Sequence, residues 1–395
     1  MMPVSAFALL GQFQSFVSIL QFVSGGIVTY GIVKYISEYE EKPEVLKKIL
    51  KSGFQIALIL SFLIGLLGLL LSYKISFALF HTKQYAFSIM LLSLTLFLYV
   101  VNKLVLSILN GLSEIKYYAL LSGSGAVILA ICVITLGYCY GIQGAFVGFS
   151  IAQIFTLMIS VTLLVLKSGH LLPARTKLFE FVRSFDLVWI KRLALFSVMT
   201  IVSSIALPVS QIVIRLYVAK SSWVDVGYWQ ALIRISDGYL LIIGNLITLV
   251  ALPLFSKRVS ASVLRKNVYA TLFKLVMLEL VLIILVFLLR DWIVRVLFSE
   301  KYLLVTHLFF YQLLGDLFKV ASFVLGTVLI AKTKVKIFVT LEIITSLMYI
   351  GFSMLCYYFK GIYGLPLAFM IVYIIQFIAN LIVFRVYTND KNITV

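Results

Sequence analysis

The chain has 395 residues, of which 63% are hydrophobic and only 12% charged, with a formal net charge of +18. Its mean hydropathy is +1.12. Soluble domains are about half apolar and a quarter charged. The composition therefore excludes a soluble enzyme or nucleic-acid-binding domain and predicts an all-α, polytopic membrane protein, because helices satisfy their own backbone groups in lipid.

Three cysteines (Cys132, Cys139, Cys356) lie in or at the ends of apolar runs, without zinc or redox spacing. His81, His170 and His307 are scattered and form no ligand cluster. No metal site and no cofactor are expected. The first basic residue is Lys34, so the charged start of a cleavable signal peptide is missing.

In chain order, eleven apolar spans are predicted at roughly 9–33, 53–73, 86–109, 118–138, 142–166, 193–218, 229–255, 268–289, 303–331, 337–359 and 363–385. Pro43 followed by Glu44-Val45-Leu46-Lys47-Lys48-Ile49-Leu50 suggests a short interfacial helix, with lysines toward anionic headgroups. The longest loop, 167–192, contains Leu178-Phe179-Glu180-Phe181-Val182-Arg183, which reads as an amphipathic surface segment joining two halves. Alternate loops plus the C-terminal tail carry 21 Lys and Arg, and the opposite loops carry seven. The basic side is cytoplasmic by the positive-inside rule, so the C-terminus is cytoplasmic and much of the net charge is topogenic.

The halves resemble each other. Gly141-Ile142-Gln143-Gly144 recurs 220 residues later as Gly361-Ile362-Tyr363-Gly364, and Val45-Leu46-Lys47-Lys48 recurs 218 residues later as Val263-Leu264-Arg265-Lys266. Gln12 and Ser18 recur as Gln230 and Ser236. The shared register indicates a duplication, with an N-terminal lobe over 1–170, a cytoplasmic linker over 171–192 and a C-terminal lobe over 193–395. Span 193–218 lacks a partner within the first half, so a first helix upstream of Met1 is the expectation. It would complete twelve helices in two parallel six-helix lobes.

Ionisable residues deep in a span cost about 2.5–3.5 kcal/mol each on insertion scales, so they mark helix contacts or pathways. The first half has one, Lys103, near a cytoplasmic end where it can snorkel. The second half has Arg215, Arg234, Asp237, Glu279, Asp316 and Lys319. Asp316 and Lys319 are three residues apart and share a helix face. They read either as an ion pair locking helices or as part of a substrate or ion pathway. Arg234 and Asp237 have the same spacing and the same two readings, and Arg215, close to an outer helix end, can snorkel. Glu279 is either a protonatable relay or simply neutral in lipid. The stretch Trp223 to Gln230, with Trp229, reads as an interfacial aromatic belt or as a sugar-contacting surface. No nucleophile–base set, zinc-protease motif or phosphate-binding glycine loop is present, so no enzyme and no ATP-driven pump is expected.

Val224-Asp225-Val226-Gly227-Tyr228-Trp229-Gln230 with Ile235-Ser236-Asp237-Gly238-Tyr239-Leu240 resembles the seventh-to-eighth helix region of the Wzx-type O-antigen and enterobacterial common antigen lipid-linked oligosaccharide flippases. Leu207-Pro208 with Arg215, Gly315-Asp316-Leu317-Phe318-Lys319-Val320 with Ala331-Lys332, and Gly31-Ile32-Val33-Lys34-Tyr35 with Tyr39 resemble other helices of that family. The resemblance keeps its order over essentially the whole chain. It implies membership of the multidrug/oligosaccharidyl-lipid/polysaccharide exporter superfamily and residence in the bacterial inner membrane.

It also implies an undecaprenyl-pyrophosphate-linked oligosaccharide as substrate, moved by alternating access. On that reading Arg215, Arg234 and Lys319 meet the pyrophosphate, with Trp229 and Gln230 as further pyrophosphate or sugar contacts. Asp237, Asp316 and Glu279 orient these bases or carry a coupling ion. Membrane lipids, a coupling ion and other polysaccharide-assembly membrane proteins are further candidate partners, and nucleic acid is not one. The rival readings are a cation-coupled exporter of drugs or organic cations, and a membrane enzyme of polysaccharide assembly such as a polymerase.

Overall fold

The computed structural model describes residues 3–39, 42–112, 114–171, 186–256, 259–332 and 334–389. Helix is the only regular structure among them. The elements are α1 (Val4–Gln21), α2 (Ile27–Glu38), α3 (Pro43–Phe80), α4 (Ala86–Gly111), α5 (Ile115–Leu171), α6 (Leu187–Ala219), α7 (Trp223–Leu246), α8 (Leu252–Ser256), α9 (Ala261–Leu297), α10 (Phe309–Ala331), α11 (Val335–Lys360) and α12 (Gly364–Asn389). Wide π turns at Phe22–Gly26 and Ile247–Ala251 join α1 to α2 and α7 to α8 without ending the helical path.

Seven helical stretches among the described residues are long and apolar enough to cross a membrane. Two of these are 49 and 55 residues long, Ile115–Leu163 and Val335–Asn389, and each doubles back at a corner. A count of spans therefore depends on where a folded-back stretch is divided.

The two corners show the duplication in geometry. Gly141 has φ 64° and Gly361 has φ 56°, a region costly for residues with a Cβ. The residues before them match as well, Tyr140 at φ −126° and Lys360 at φ −126°. A Cβ on Gly144 would meet the Leu136 carbonyl oxygen at 2.0 Å, and one on Gly364 the Cys356 carbonyl oxygen at 2.1 Å. Each of these residues lies 220 positions from its counterpart. The sequence repeat is thus a repeated backbone corner, in which glycine is needed twice.

Contacts divide the chain into two compact units, one of Gln12–Val209 and one of Pro3–Gly11 with Ser210–Val395. In the first, α4 is the central helix, packed by α2, α3 and α5. Val28, Ile32 and Ile36 on α2 meet Ala57 on α3, Val100 and Leu104 on α4, and Leu193 on α6. In the second, α10 is central, against α12, α9, α7, α8 and α11. Lipid is as apolar as these side chains, so packing and interhelical bonds hold such bundles rather than escape from water.

One bond recurs in both units with its partners exchanged. Ser160 on α5 donates to the Asn102 side-chain oxygen on α4. At the positions 220 residues on, Asn380 on α12 donates to the Ser322 hydroxyl on α10 at 2.7 Å. Such bonds in membranes average only about 0.6 kcal/mol; their content is register, pinning the central helix of each unit to the same neighbour.

Three expectations change. Pro43 is the first residue of a continuous 38-residue helix, not of a separate interfacial one. Ser52-Gly53 lies at the junction without ending the helix, so the basic turns and the membrane-crossing turns are one rod. Trp229 is 0% exposed and lies in the core of its unit, not in an interfacial belt. Arg215 is 1% exposed and does not snorkel to water. The amphipathic segment 178–183, most of the linker 171–192 and the C-terminal Lys391 lie outside the described residues.

Candidate functional site

The candidate charged residues of the second unit lie on α6, α7, α9 and α10. The start of α7 shows why the motif around it has its residues. The Ser222 hydroxyl caps the helix by accepting from the Asp225 backbone N–H at 3.1 Å. Asp225, in the first turn, accepts from the Tyr357 hydroxyl of α11 at 2.9 Å. Gly227 lets the first turn of α1 approach; a Cβ there would lie 2.1 Å from the Val4 carbonyl oxygen.

Two residues on, Trp229 and Gln230 turn toward α6. The Arg215 guanidinium donates to the Gln230 side-chain oxygen at 2.6 Å and to that of Gln211 at 3.3 Å, and lies 5.6 Å from the centre of the Trp229 ring. Gln230 is 1% exposed. The structure therefore brings Arg215, Trp229 and Gln230 together, in a closed cluster between α6 and α7. A buried guanidinium with good hydrogen bonds is tolerated where an unpaired one is not.

Asp316 and Lys319 share a face of α10, yet among the described residues no ion pair joins them. Asp316 is fully buried; one carboxylate oxygen accepts from the Tyr239 hydroxyl of α7 and the other from Gln312 Nε2 at 3.4 Å. Lys319 points elsewhere. Its ammonium lies 5.6 Å from the centres of both the Phe369 and the Tyr373 rings of α12, where ring quadrupoles favour a cation.

Among the described residues no carboxylate lies within 4.0 Å of the Lys319 ammonium. Lys319 lines a cavity of about 440 Å³ between α7 and α10, together with Asp237, Asn245 and Phe323. Arg234 and Asp237 form a loose pair at 3.9 Å, with side chains 33% and 48% exposed. The cavity thus carries a cation held by aromatic faces and a carboxylate opposed by a partly exposed guanidinium.

Glu279 stands apart. It is 0% exposed, and neither carboxylate oxygen has a hydrogen-bond partner. Ile283 and Val286, one and two turns further along α9, belong to the same buried cluster as Tyr239 and Leu313, which places Glu279 on the same inward face. Its counterpart 218 residues earlier is Ser61, also buried.

Sequence reasoning missed Tyr239, Gln211, Phe369 and Tyr373. The offset of 220 offered a signal for one, because Phe369 is the counterpart of Phe149. For the rest, partner choice depends on which helices touch.

A family model described as polysaccharide biosynthesis protein matches residues 1–259. The Lipid III flippases of Escherichia coli (strain K12) and Shigella flexneri are each 26% identical over 370 residues, which is 93% of this chain and 88% of theirs. Among solved structures, an inward-facing multidrug resistance MATE family transporter of the MOP superfamily aligns with a TM-score of 0.79 at 14% identity, over 98% of this chain and 92% of that one. The Lipid II flippase MurJ in an inward closed conformation aligns with a TM-score of 0.69 at 19% identity, over 97% and 86%. The fold is therefore that of the MOP-superfamily transporters. Having matched the family model over well more than half its length, the chain belongs to the polysaccharide biosynthesis protein family.

Proposed function

We propose that the chain is a flippase that moves an undecaprenyl-pyrophosphate-linked oligosaccharide, such as an O-antigen or enterobacterial common antigen repeat unit, from the cytoplasmic to the periplasmic leaflet of the bacterial inner membrane. The observation that carries this reading is Lys319. It is a cation near the middle of a membrane helix, lining a cavity, with no carboxylate in ion-pair range among the described residues. Leaving an ammonium without a counter-ion at that depth is costly, and an anionic headgroup that arrives and leaves supplies the missing charge. The curated relatives named Lipid III flippases support the same reading.

A pyrophosphate and its sugars cannot enter hydrocarbon unaided. On this reading Lys319 and Arg234 meet the pyrophosphate, Asp237 limits how long it stays, and the lipid tail remains in the bilayer. Arg215, Trp229 and Gln230 are reached only in another conformation, since all three are buried in this one. Lobes over 1–170 and 193–395, joined by 171–192, rock to expose the cavity to each side in turn. Asp316 and Glu279 are the residues for a coupling ion, and the C-terminus lies in the cytoplasm.

Deletion in the native host provides the test. Loss of the chain is expected to leave undecaprenyl-linked repeat units in the inner leaflet and to abolish the surface glycan. A normal glycan with altered drug sensitivity would instead assign the chain to the cation exporters.

A further inference from the structure

The first unit holds a cavity of about 250 Å³, of mixed polar and apolar lining, that none of the second-unit residues above touches. It is bounded by Gln21 of α1, Tyr99, Asn102 and Lys103 of α4, and Gln153 and Thr156 of α5. Lys103 is its only charged lining residue, and lies with its ammonium 5.6 Å from the centre of the Tyr99 ring.

The lining offers both donors and acceptors. Asn102 uses its side-chain oxygen to accept from Ser160, which leaves its N–H groups. Gln153 donates to the Phe149 carbonyl at a long 3.4 Å, which leaves its side-chain oxygen. Thr156 donates to the Ala152 carbonyl at 2.7 Å, which leaves its oxygen as an acceptor.

The duplication shows that this lining is particular to one half. Offsets of 218 and 220 carry Gln21, Tyr99 and Gln153 onto Tyr239, Lys319 and Tyr373. In the second unit those positions are filled by two tyrosines and the lysine that lies over the Tyr373 ring. In the first unit amides replace the tyrosines, and both amides line the cavity. Polar groups inside a membrane protein are costly unless a partner is at hand, so a cavity with four amides and four hydroxyls in its lining has a ligand chemistry built into it.

We infer that this cavity is a saccharide subsite, which holds one sugar of the transported glycan while the pyrophosphate is held elsewhere. Sugar hydroxyls both donate and accept, as the lining requires. A pyrophosphate only accepts, and would meet the oxygens of Gln153 and Thr156 with one cation to offset them. Lys103 bonds a sugar hydroxyl or an acidic substituent. The inference rests on the flippase reading.

The probe is the host's repeat-unit oligosaccharide, released from its lipid carrier by mild acid and titrated into the purified full chain. Gln153→Leu and Lys103→Met should each weaken its binding about tenfold, the loss of one good hydrogen bond, and leave binding of inorganic pyrophosphate unchanged. Lys103 is only half-buried, so Lys103→Met serves on its own if Gln153→Leu does not fold. Affinities within twofold of wild type in the folded variants would overturn the subsite. So would a wild-type chain that binds no released glycan yet restores export to the deletion host, a result that leaves the flippase reading standing. A wild-type chain that restores no export would overturn that reading, and the subsite with it.

Discussion

Lys319→Ala is expected to reduce glycan export by about 10- to 100-fold while the protein reaches the membrane at wild-type abundance. The magnitude is that of one hydrogen bond to a charged group, about 1.5–3 kcal/mol. Abundance should hold because Lys319 has no ion pair to lose among the described residues. What it gives up in the resting protein is a cation held over the rings of Phe369 and Tyr373, and alanine removes the charge together with its cost. Lys319→Arg keeps the charge and should keep part of the export. Tyr239 and Asp316 are different in kind. Tyr239→Phe strips a bond from a fully buried carboxylate, so its effect should fall on abundance as well as on export. If Lys319→Ala loses abundance in proportion to export, the lysine is a structural residue.

Arg215→Ala should show the reverse pattern. The guanidinium is buried at 1% exposure and bonded to Gln230 and Gln211. Truncation leaves the buried Gln230 side-chain oxygen without this donor and removes a bond to the half-buried Gln211, beside a void under Trp229. The expected cost is on the order of 3 kcal/mol, seen as a fall in melting temperature and in membrane abundance. Gln230→Leu should cost a similar amount from the other side, because it leaves the charge short of its best acceptor. Arg215→Lys should not fully restore stability, since one Nη2 serves both acceptors and a lysine ammonium ends short of it, without the planar face that lies against Trp229. An Arg215→Ala protein that melts like wild type but exports nothing would mean that Arg215 acts on substrate directly.

These contrasts show what could be read from sequence and what could not. The helical, membrane-spanning class followed from hydropathy, since apolar runs of about 20 residues suit a spanning helix and are too long for a barrel strand. The duplication was legible at Gly141 and Gly361, because a positive-φ corner tolerates few residue types. Register was hidden at Asn102 and Ser160, because their counterparts carry the same two residue types in exchanged positions.

Side-chain partnerships were the least legible. A spacing of three residues permits Asp316 and Lys319 to pair, yet the aspartate bonds a tyrosine on α7 and the lysine a pair of rings on α12. Those partners are 77, 50 and 54 residues away in sequence, and only helix packing brings them near. Arg215 and Trp229 misled for a related reason. Near a helix end both residue types belong at a membrane interface, unless each is the other's neighbour, as here.

The most direct test is translocation by the purified chain in sealed vesicles, supplied with undecaprenyl-pyrophosphate-linked oligosaccharide and scored for glycan that becomes reachable on the opposite face. The account predicts movement by the wild-type chain well above protein-free vesicles, and movement by Lys319→Ala lower by about 10- to 100-fold. A wild-type chain that moves the lipid-linked oligosaccharide no faster than empty vesicles, while carrying an organic cation across the same membrane, would contradict it.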